Sequence, residues 1–368
     1  MILQKQNNQE IVKFIHKLYR TEDFIPLHPP YFDNREIELT TECIKSTYVS
    51  SVGQFVVDFE NKIAEFCGVK RAVACVNGTN ALHLALKLVG VKSGDKVITQ
   101  PLTFIATANA IKYCNAEPVF VDVDRDTMGL SPEKLEDYLK SHSDIKAVVP
   151  MHTFGHPCRI EEIKNICEKY GVILVEDCAE SLGSFYKGIH TGNFGLVSAV
   201  SFNGNKTITT GGGGMMLFND EKLADKAKHL TTQAKIPHRW EFRHDEIGYN
   251  YRMPNLNAAL GLAQLEKIDK ILANKRELAE VYKEYFGERF VSEPKDCKSN
   301  YWLQAVLLDN KTERDEFLTY TNDNGVMTRP VWTLMNELEM FKNCECGNLE
   351  NAQWLSDRLV NIPSGVRL

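Results

Sequence analysis

The chain has 368 residues, 43% of them hydrophobic and 25% charged, with a formal charge of -6. Such a composition excludes a disordered protein and allows a deep core with two domains. The negative balance argues against a general nucleic-acid binder, so an anionic ligand must be met by a local basic cluster.

The N-terminal stretch MILQKQNNQE lacks the apolar core of a signal peptide, and no apolar run approaches ~18 residues. The expected location is the cytoplasm, with no membrane partner. The ten cysteines include no CxxC pair; Cys344 and Cys346 stand closest and lack the usual spacing of a zinc half-site, so no metal is expected.

From about residue 70 to 220 short apolar runs alternate with helical patterns, which predicts a parallel sheet covered by helices. The strands are expected at 71–76, 95–99, 117–123, 146–151, 172–177 and 198–202. Helices are expected at 79–89, closed by Gly90, and at 131–141, with Ser131 as N-cap and Pro132 as the first helical residue. Beyond residue 220 come long helical stretches (255–287), the extended segment NYWLQAVLLD (300–309) and the strand-like VMTRPVW (326–332). The last third therefore reads as a smaller α+β part.

Ligands of open parallel sheets bind beyond the carboxyl ends of the strands, so the residues that follow each strand carry the functional signal. After the first strand, Asn77, Gly78 and Thr79 open a helix, where free N–H groups and the helix dipole favour a phosphate; the same residues also serve an ordinary turn and N-cap. After the second, Phe104 begins a helix and could be core or could stack on a flat ring. Glu176 and Asp177 end the fifth strand, where a carboxylate needs a partner. Asp177 could hold a positively charged ring nitrogen or cap a helix. Ser201 ends the sixth strand with a hydroxyl that could reach a phosphate. Lys206 follows in the turn SFNGNKTITTGGGG, where an amine used as a nucleophile could be held beside its electrophile.

GNKT does not complete a P-loop, because the upstream glycine is missing, and Gly211 to Gly214 lack the G-x-G-x-x-G spacing. Phosphate donors, an aromatic, an acid and a lysine at successive strand ends instead match the needs of pyridoxal phosphate. That cofactor needs its phosphate bound, its ring covered, its nitrogen kept protonated and its aldehyde joined to an amine.

With NGTNALHLAL, PLTFIATANAI, AEPVFVDVDRDT, MHTFGH, VEDCAESLGS, SFNGNKTITTGGGG and GYNYRMPNLNAALGLAQL in order, the chain from about residue 25 onward resembles the DegT/DnrJ/EryC1/StrS family of pyridoxal phosphate-dependent sugar aminotransferases. The resemblance implies a type I aminotransferase fold, with a mostly parallel seven-stranded sheet between helices plus a smaller C-terminal α+β domain. It divides the chain into an N-terminal helical segment (1–25), a large cofactor-binding domain (26–255) and a small domain (256–368). It also implies a homodimer with active sites at the subunit interface, and glutamate, converted to 2-oxoglutarate, as amino donor to a nucleotide-linked keto sugar.

Carried over by position, Lys206 is similar to the lysine that bonds the aldehyde, Asp177 to the partner of the ring nitrogen and Phe104 to the ring-stacking residue. Gly78, Thr79 and Ser201 match phosphate ligands, and Asn250 matches an asparagine that reaches the phosphate of the neighbouring subunit. Two positions depart from the pattern. Glu180 replaces the usual Gln or His near the ring hydroxyl, where two anions repel unless one is protonated, and Gly212 replaces a glutamate. SSVGQF, HTFGHP and GYNYRMPN look most like the subgroup that aminates C4 of UDP-4-keto-6-deoxy-N-acetylhexosamines, so a UDP-sugar is the expected substrate. In the basic, aromatic stretch 234–252, Arg239 and Tyr249 are candidate sugar-nucleotide contacts. His152 and His156 read as packed residues.

Two alternatives use the same fold. A sugar dehydratase of this type carries His in place of the bonding lysine, against which Lys206 stands. A non-catalytic regulator would lack the lysine or the acid, or add a DNA-binding domain for which the N-terminal segment is too short. The resemblance further implies a helix beyond the last residues, NIPSGVRL.

Overall fold

The alternation of apolar strands and helices builds a seven-stranded sheet in the computed structural model, which describes residues 7–367. In spatial order the strands are Arg71–Cys75, Gly214–Phe218, Val197–Ser201, Ile173–Asp177, Ile145–Val149, Lys96–Thr99 and Glu117–Phe120. Gly214–Phe218 runs against both neighbours, and the other pairs are parallel. All six strands expected from the sequence are present, with ends moved by at most three residues.

The seventh strand was hidden by its glycines, which read as a turn. They serve close approach: a Cβ on Gly214 would lie 2.4 Å from the backbone of Asn77, and one on Gly213 would lie 2.2 Å from Oγ1 of Thr210.

Side chains alternate across the pleat and bury both faces. Val73, Cys75, Ala199, Met216 and Phe218 pack with Leu82 and Ala85 of the helix Gly78–Leu88 and with Ala224 and Ala227 of the helix Glu221–Thr231. Ala72, Ala74, Val200, Met215 and Leu217 pack instead with Phe59 and Ile63 of the helix Gln54–Cys67 and with Ala258 and Leu262 of the helix Asn255–Leu265. At ~1.5–3 kcal/mol for each fully buried aliphatic or aromatic side chain, these two layers hold the strand ends rigidly.

Helix Gly78–Leu88 is capped by Asn77, whose side chain accepts the N–H of Asn80 at 2.8 Å, and Gly90 follows it at φ 82. Pro132 opens the helix Pro132–Leu139 as expected, but Ser131 bonds no backbone N–H of it; its hydroxyl donates to Glu133 at 3.2 Å. The stretch 255–287 is two helices, Asn255–Leu265 and Ile268–Phe286, broken at Glu266 and Lys267. Lys267 at the break pairs with Asp33 at 2.6 Å and Glu36 at 2.7 Å.

A separate antiparallel sheet joins Gln304–Leu307, Leu359–Ile362 and Arg329–Pro330, so VMTRPVW supplies only two strand residues. Near the N-terminus, the helix Asn8–Tyr19 lays Ile11, Val12 and Ile15 against Leu278, Tyr282 and Val326. The first six residues of the expected N-terminal segment lie outside the described residues. Among the described residues no helix is long and apolar enough to cross a membrane. All ten cysteines are free thiols.

Candidate active site

Where Arg71–Cys75 ends, Gly78 starts a helix whose first N–H groups have no intrahelical acceptor. Ser201 ends a strand of the same sheet close by. A Cβ on Gly78 would lie 2.8 Å from Cβ of Ser201, so only glycine lets the helix start beside that hydroxyl. Both residues, with Thr79, line a cavity of about 390 Å³ at the carboxyl edge of the sheet.

The two acids that end Ile173–Asp177 point to opposite faces. Glu176 accepts N–H groups of Gly192 at 3.0 Å, Phe194 at 2.8 Å and Gly195 at 2.7 Å, and sits 3.2 Å from Nε2 of His152. Burial would raise it, but His152 and those N–H groups hold it below the usual carboxylate range. It is a structural knot. Asp177 lines the cavity instead, accepting the Thr107 hydroxyl at 2.7 Å and the Ala179 N–H at 3.0 Å. Burial pushes its carboxyl up, and these bonds with the nearby Lys206 charge oppose the rise.

Lys206 sits in a turn closed by its N–H donating to the carbonyl of Asn203 at 3.0 Å. Its Nζ lies 3.4 Å from Oε1 of Glu180 and 3.8 Å from the ring centroid of Trp302. The second oxygen of Glu180 accepts the N–H of Phe154 at 2.9 Å. Burial pushes the Glu180 carboxyl up to about 7, against the pull of Lys206 and the Phe154 N–H.

One cavity thus gathers Gly78, Thr79, Phe104, Asp177, Glu180, Ser201 and Lys206. Phe104 is 49% exposed and meets Trp332 edge-on at 6.2 Å, leaving a face free to cover a flat ring. This donor set fits pyridoxal phosphate: a helix start and a hydroxyl for the phosphate, a buried acid for a ring nitrogen, and an amine for the aldehyde.

Arg239, Tyr249 and Asn250 lie outside this cavity. Tyr249 is packed, stacking on Tyr251 at 4.9 Å and meeting His83 edge-on at 5.3 Å. Arg239 lines a separate open groove with Lys235, His238 and Arg252, beside the exposed hairpin Lys235–Ile236 and Arg243–His244. Asn250 is exposed and bridges to Thr232. His152 and His156 are fully buried, and burial pushes His156 down to about 4.

Sequence reasoning did not single out Thr107, Trp302 or Trp332. The only signal for Trp302 was its place at the head of an extended segment, which by itself marks a strand rather than a site.

Fold and relatives together define a pyridoxal phosphate-dependent aminotransferase. More narrowly, the model of the DegT/DnrJ/EryC1/StrS aminotransferase family matches residues 30–368, and the chain belongs to that family of sugar aminotransferases. It is similar to the GDP-perosamine synthase of Escherichia coli O157:H7, 41% identical over 343 residues and 93% of each chain. The GDP-perosamine synthase of Vibrio cholerae is 37% identical over 346 residues, 92% of this chain and 94% of that one. Among solved structures, the aminotransferase TlmJ from Streptoalloteichus hindustanus superposes with a TM-score of 0.87 at 29% identity, covering 93% of both chains.

Proposed function

We propose that the enzyme aminates C4 of a nucleotide-linked 4-keto-6-deoxy sugar with glutamate as donor, in the cytoplasm, for surface polysaccharide or glycan synthesis. The observation that carries this reading is the meeting of Lys206, Glu180 and Asp177 in one cavity beside the Gly78 helix start. Bound there, pyridoxal phosphate supplies an aldehyde that takes up and passes on an amino group and a ring that withdraws electrons.

Gly78, Thr79 and Ser201 bind the phosphate. Asp177 holds a proton at the ring nitrogen, and in a low-dielectric site that pairing acts more strongly than in water. Phe104 covers the ring. Lys206 would hold the aldehyde, and its Nζ would move protons, from the α-carbon of the donor and later to C4 of the sugar. Glu180, whose carboxyl burial raises to about 7, is partly protonated near neutral pH and so repels the ring hydroxyl less than an ordinary carboxylate would.

The working unit is a homodimer in this reading, with Asn250 of a second copy reaching the phosphate. Arg239 and its basic neighbours then meet the diphosphate across the interface, beside Trp240 and Phe242, which are 70% and 81% exposed. SSVGQF, HTFGHP and GYNYRMPN favour a UDP-linked N-acetylhexosamine. A second reading, a GDP-linked sugar, is favoured by relatives named GDP-perosamine synthase. Incubating the loaded enzyme with glutamate and each 4-keto-6-deoxy nucleotide sugar, followed by mass and NMR analysis, tests both. An amine at C4 from one nucleotide series selects it; an amine from neither overturns the proposal.

A further inference from the structure

Trp302 is 4% exposed, yet its ring forms part of the cavity wall and lies 3.8 Å from Nζ of Lys206. Its position is fixed from several sides. The indole N–H donates to the carbonyl of Asn205 at 2.6 Å, and the backbone N–H donates to Oδ1 of Asn300 at 2.8 Å. The preceding residue, Tyr301, adopts φ 49, a left-handed backbone that a bulky side chain holds only when its surroundings enforce it.

A buried lysine completes the clamp. Nζ of Lys275 donates to the carbonyl of Trp302 at 3.1 Å, to that of Ser364 at 2.8 Å, and meets Nε2 of His28 at 2.8 Å. The indole bond to Asn205 ties the ring to the residue directly before Lys206, so the platform and the amine are referenced to the same turn.

The face of an indole attracts a cation whatever the pH. Glu180, the other contact of Nζ, loses its charge as it titrates near neutrality, and Asp177 and His28 act on Lys206 only through space. The titratable groups around the amine are therefore Glu180, Asp177, His28, which burial keeps neutral, and, behind Trp302, Lys275. Only the indole combines contact, rigidity and independence of protonation.

We propose that Trp302 is a positioning residue for Lys206: its ring holds the charged Nζ beside Glu180, which takes its proton so that the neutral amine can bond the cofactor aldehyde with loss of water, and it receives Nζ again when the amine is displaced. This rests on the reading of Lys206 as the aldehyde-bonding residue. A flexible four-carbon side chain released from its bond otherwise spreads over many rotamers, which slows recapture.

The test measures how fast cofactor-free protein captures pyridoxal phosphate at Lys206, by rapid-mixing absorbance. In parallel, equilibrium binding of pyridoxamine phosphate is measured, since that form has no aldehyde to bond. Trp302→Phe keeps an aromatic face and should capture at near the native rate. Trp302→Leu should slow capture by about tenfold while leaving pyridoxamine phosphate affinity unchanged.

A ring-fluorinated tryptophan at position 302 alone drains the ring face of charge without changing its shape, and should also slow capture even if Trp302→Leu does not fold. Native-rate capture by the fluorinated chain overturns the proposal, and so does a loss of pyridoxamine phosphate affinity that parallels the loss of rate. If the native chain itself bonds no aldehyde at Lys206, the functional reading falls and this inference falls with it.

Discussion

Phe154 donates its N–H to Glu180 at 2.9 Å from a left-handed backbone, φ 56, while the other oxygen of that acid lies 3.4 Å from Lys206. A bulky residue holds such a conformation at a cost of about 1–3 kcal/mol. Strain is therefore stored where a backbone donor meets the acid that faces the lysine, and Glu180 is the first place to look for a pH signature.

Burial raises the Glu180 carboxyl from 4.5 to about 7. The native state then binds the extra proton between these values, so this group's stability contribution is complete below 4.5 and is lost as pH rises through about 7. Glu180→Gln removes the loss. Between about pH 5 and pH 8 the cofactor-free variant should gain roughly 2–3 kcal/mol relative to the native chain. Urea melts at both pH values read this directly, and a constant difference between the two proteins contradicts it.

Asp177 has both oxygens occupied by Thr107 and Ala179, and asparagine preserves that shape while removing the charge. Asp177→Asn should lower turnover on the order of 100-fold or more and leave the cofactor bonded to the protein. Steady-state rates compared with the bound-cofactor absorbance separate the two effects.

Gly78 leaves no room for a methyl group, whose carbon would sit 2.8 Å from Cβ of Ser201. Gly78→Ala should push the helix start away from the hydroxyl, costing about 1–3 kcal/mol. Cofactor affinity should fall by about tenfold or more. Titration with pyridoxamine phosphate measures that loss free of the lysine bond.

Much of the candidate site was legible because Gly78, Thr79, Asp177, Ser201 and Lys206 all lie at or just after strand ends, and strand ends are marked locally by apolar runs and turn residues. What was not legible is held by contacts distant in sequence. Thr107 reaches Asp177 across 70 positions, and Lys275 reaches the carbonyl of Trp302 from another helix. The strand Gly214–Phe218 was masked for a related reason: its first residue, Gly214, answers to the backbone of Asn77, far away in the chain. Arg239 and Tyr249 drew notice by residue type, but residue type does not say which cavity a loop serves, and Tyr249 is taken up in packing against His83 and Tyr251; Asn250 came from the resemblance, as a residue reaching a second copy.

Burial lowers the Lys275 amine from 10.5 to about 7. Between those values the unfolded chain binds more protons than the native one, so this residue makes stability rise with pH across that window. Lys275→Met abolishes the rise and leaves the carbonyls of Trp302 and Ser364 and Nε2 of His28 without this partner. The stability advantage of the native chain over the variant should grow by a few kcal/mol from about pH 7 to about pH 10. Denaturant melts at the two ends decide, and a flat difference counts against the assignment.

The most direct measurement loads the protein with pyridoxal phosphate, reduces it with borohydride and locates the added mass by peptide analysis. The added group is predicted on the peptide that carries Lys206, and it should vanish in Lys206→Arg. A label on a different lysine, or no label at all, would contradict the assignment of Lys206 on which the proposed chemistry depends.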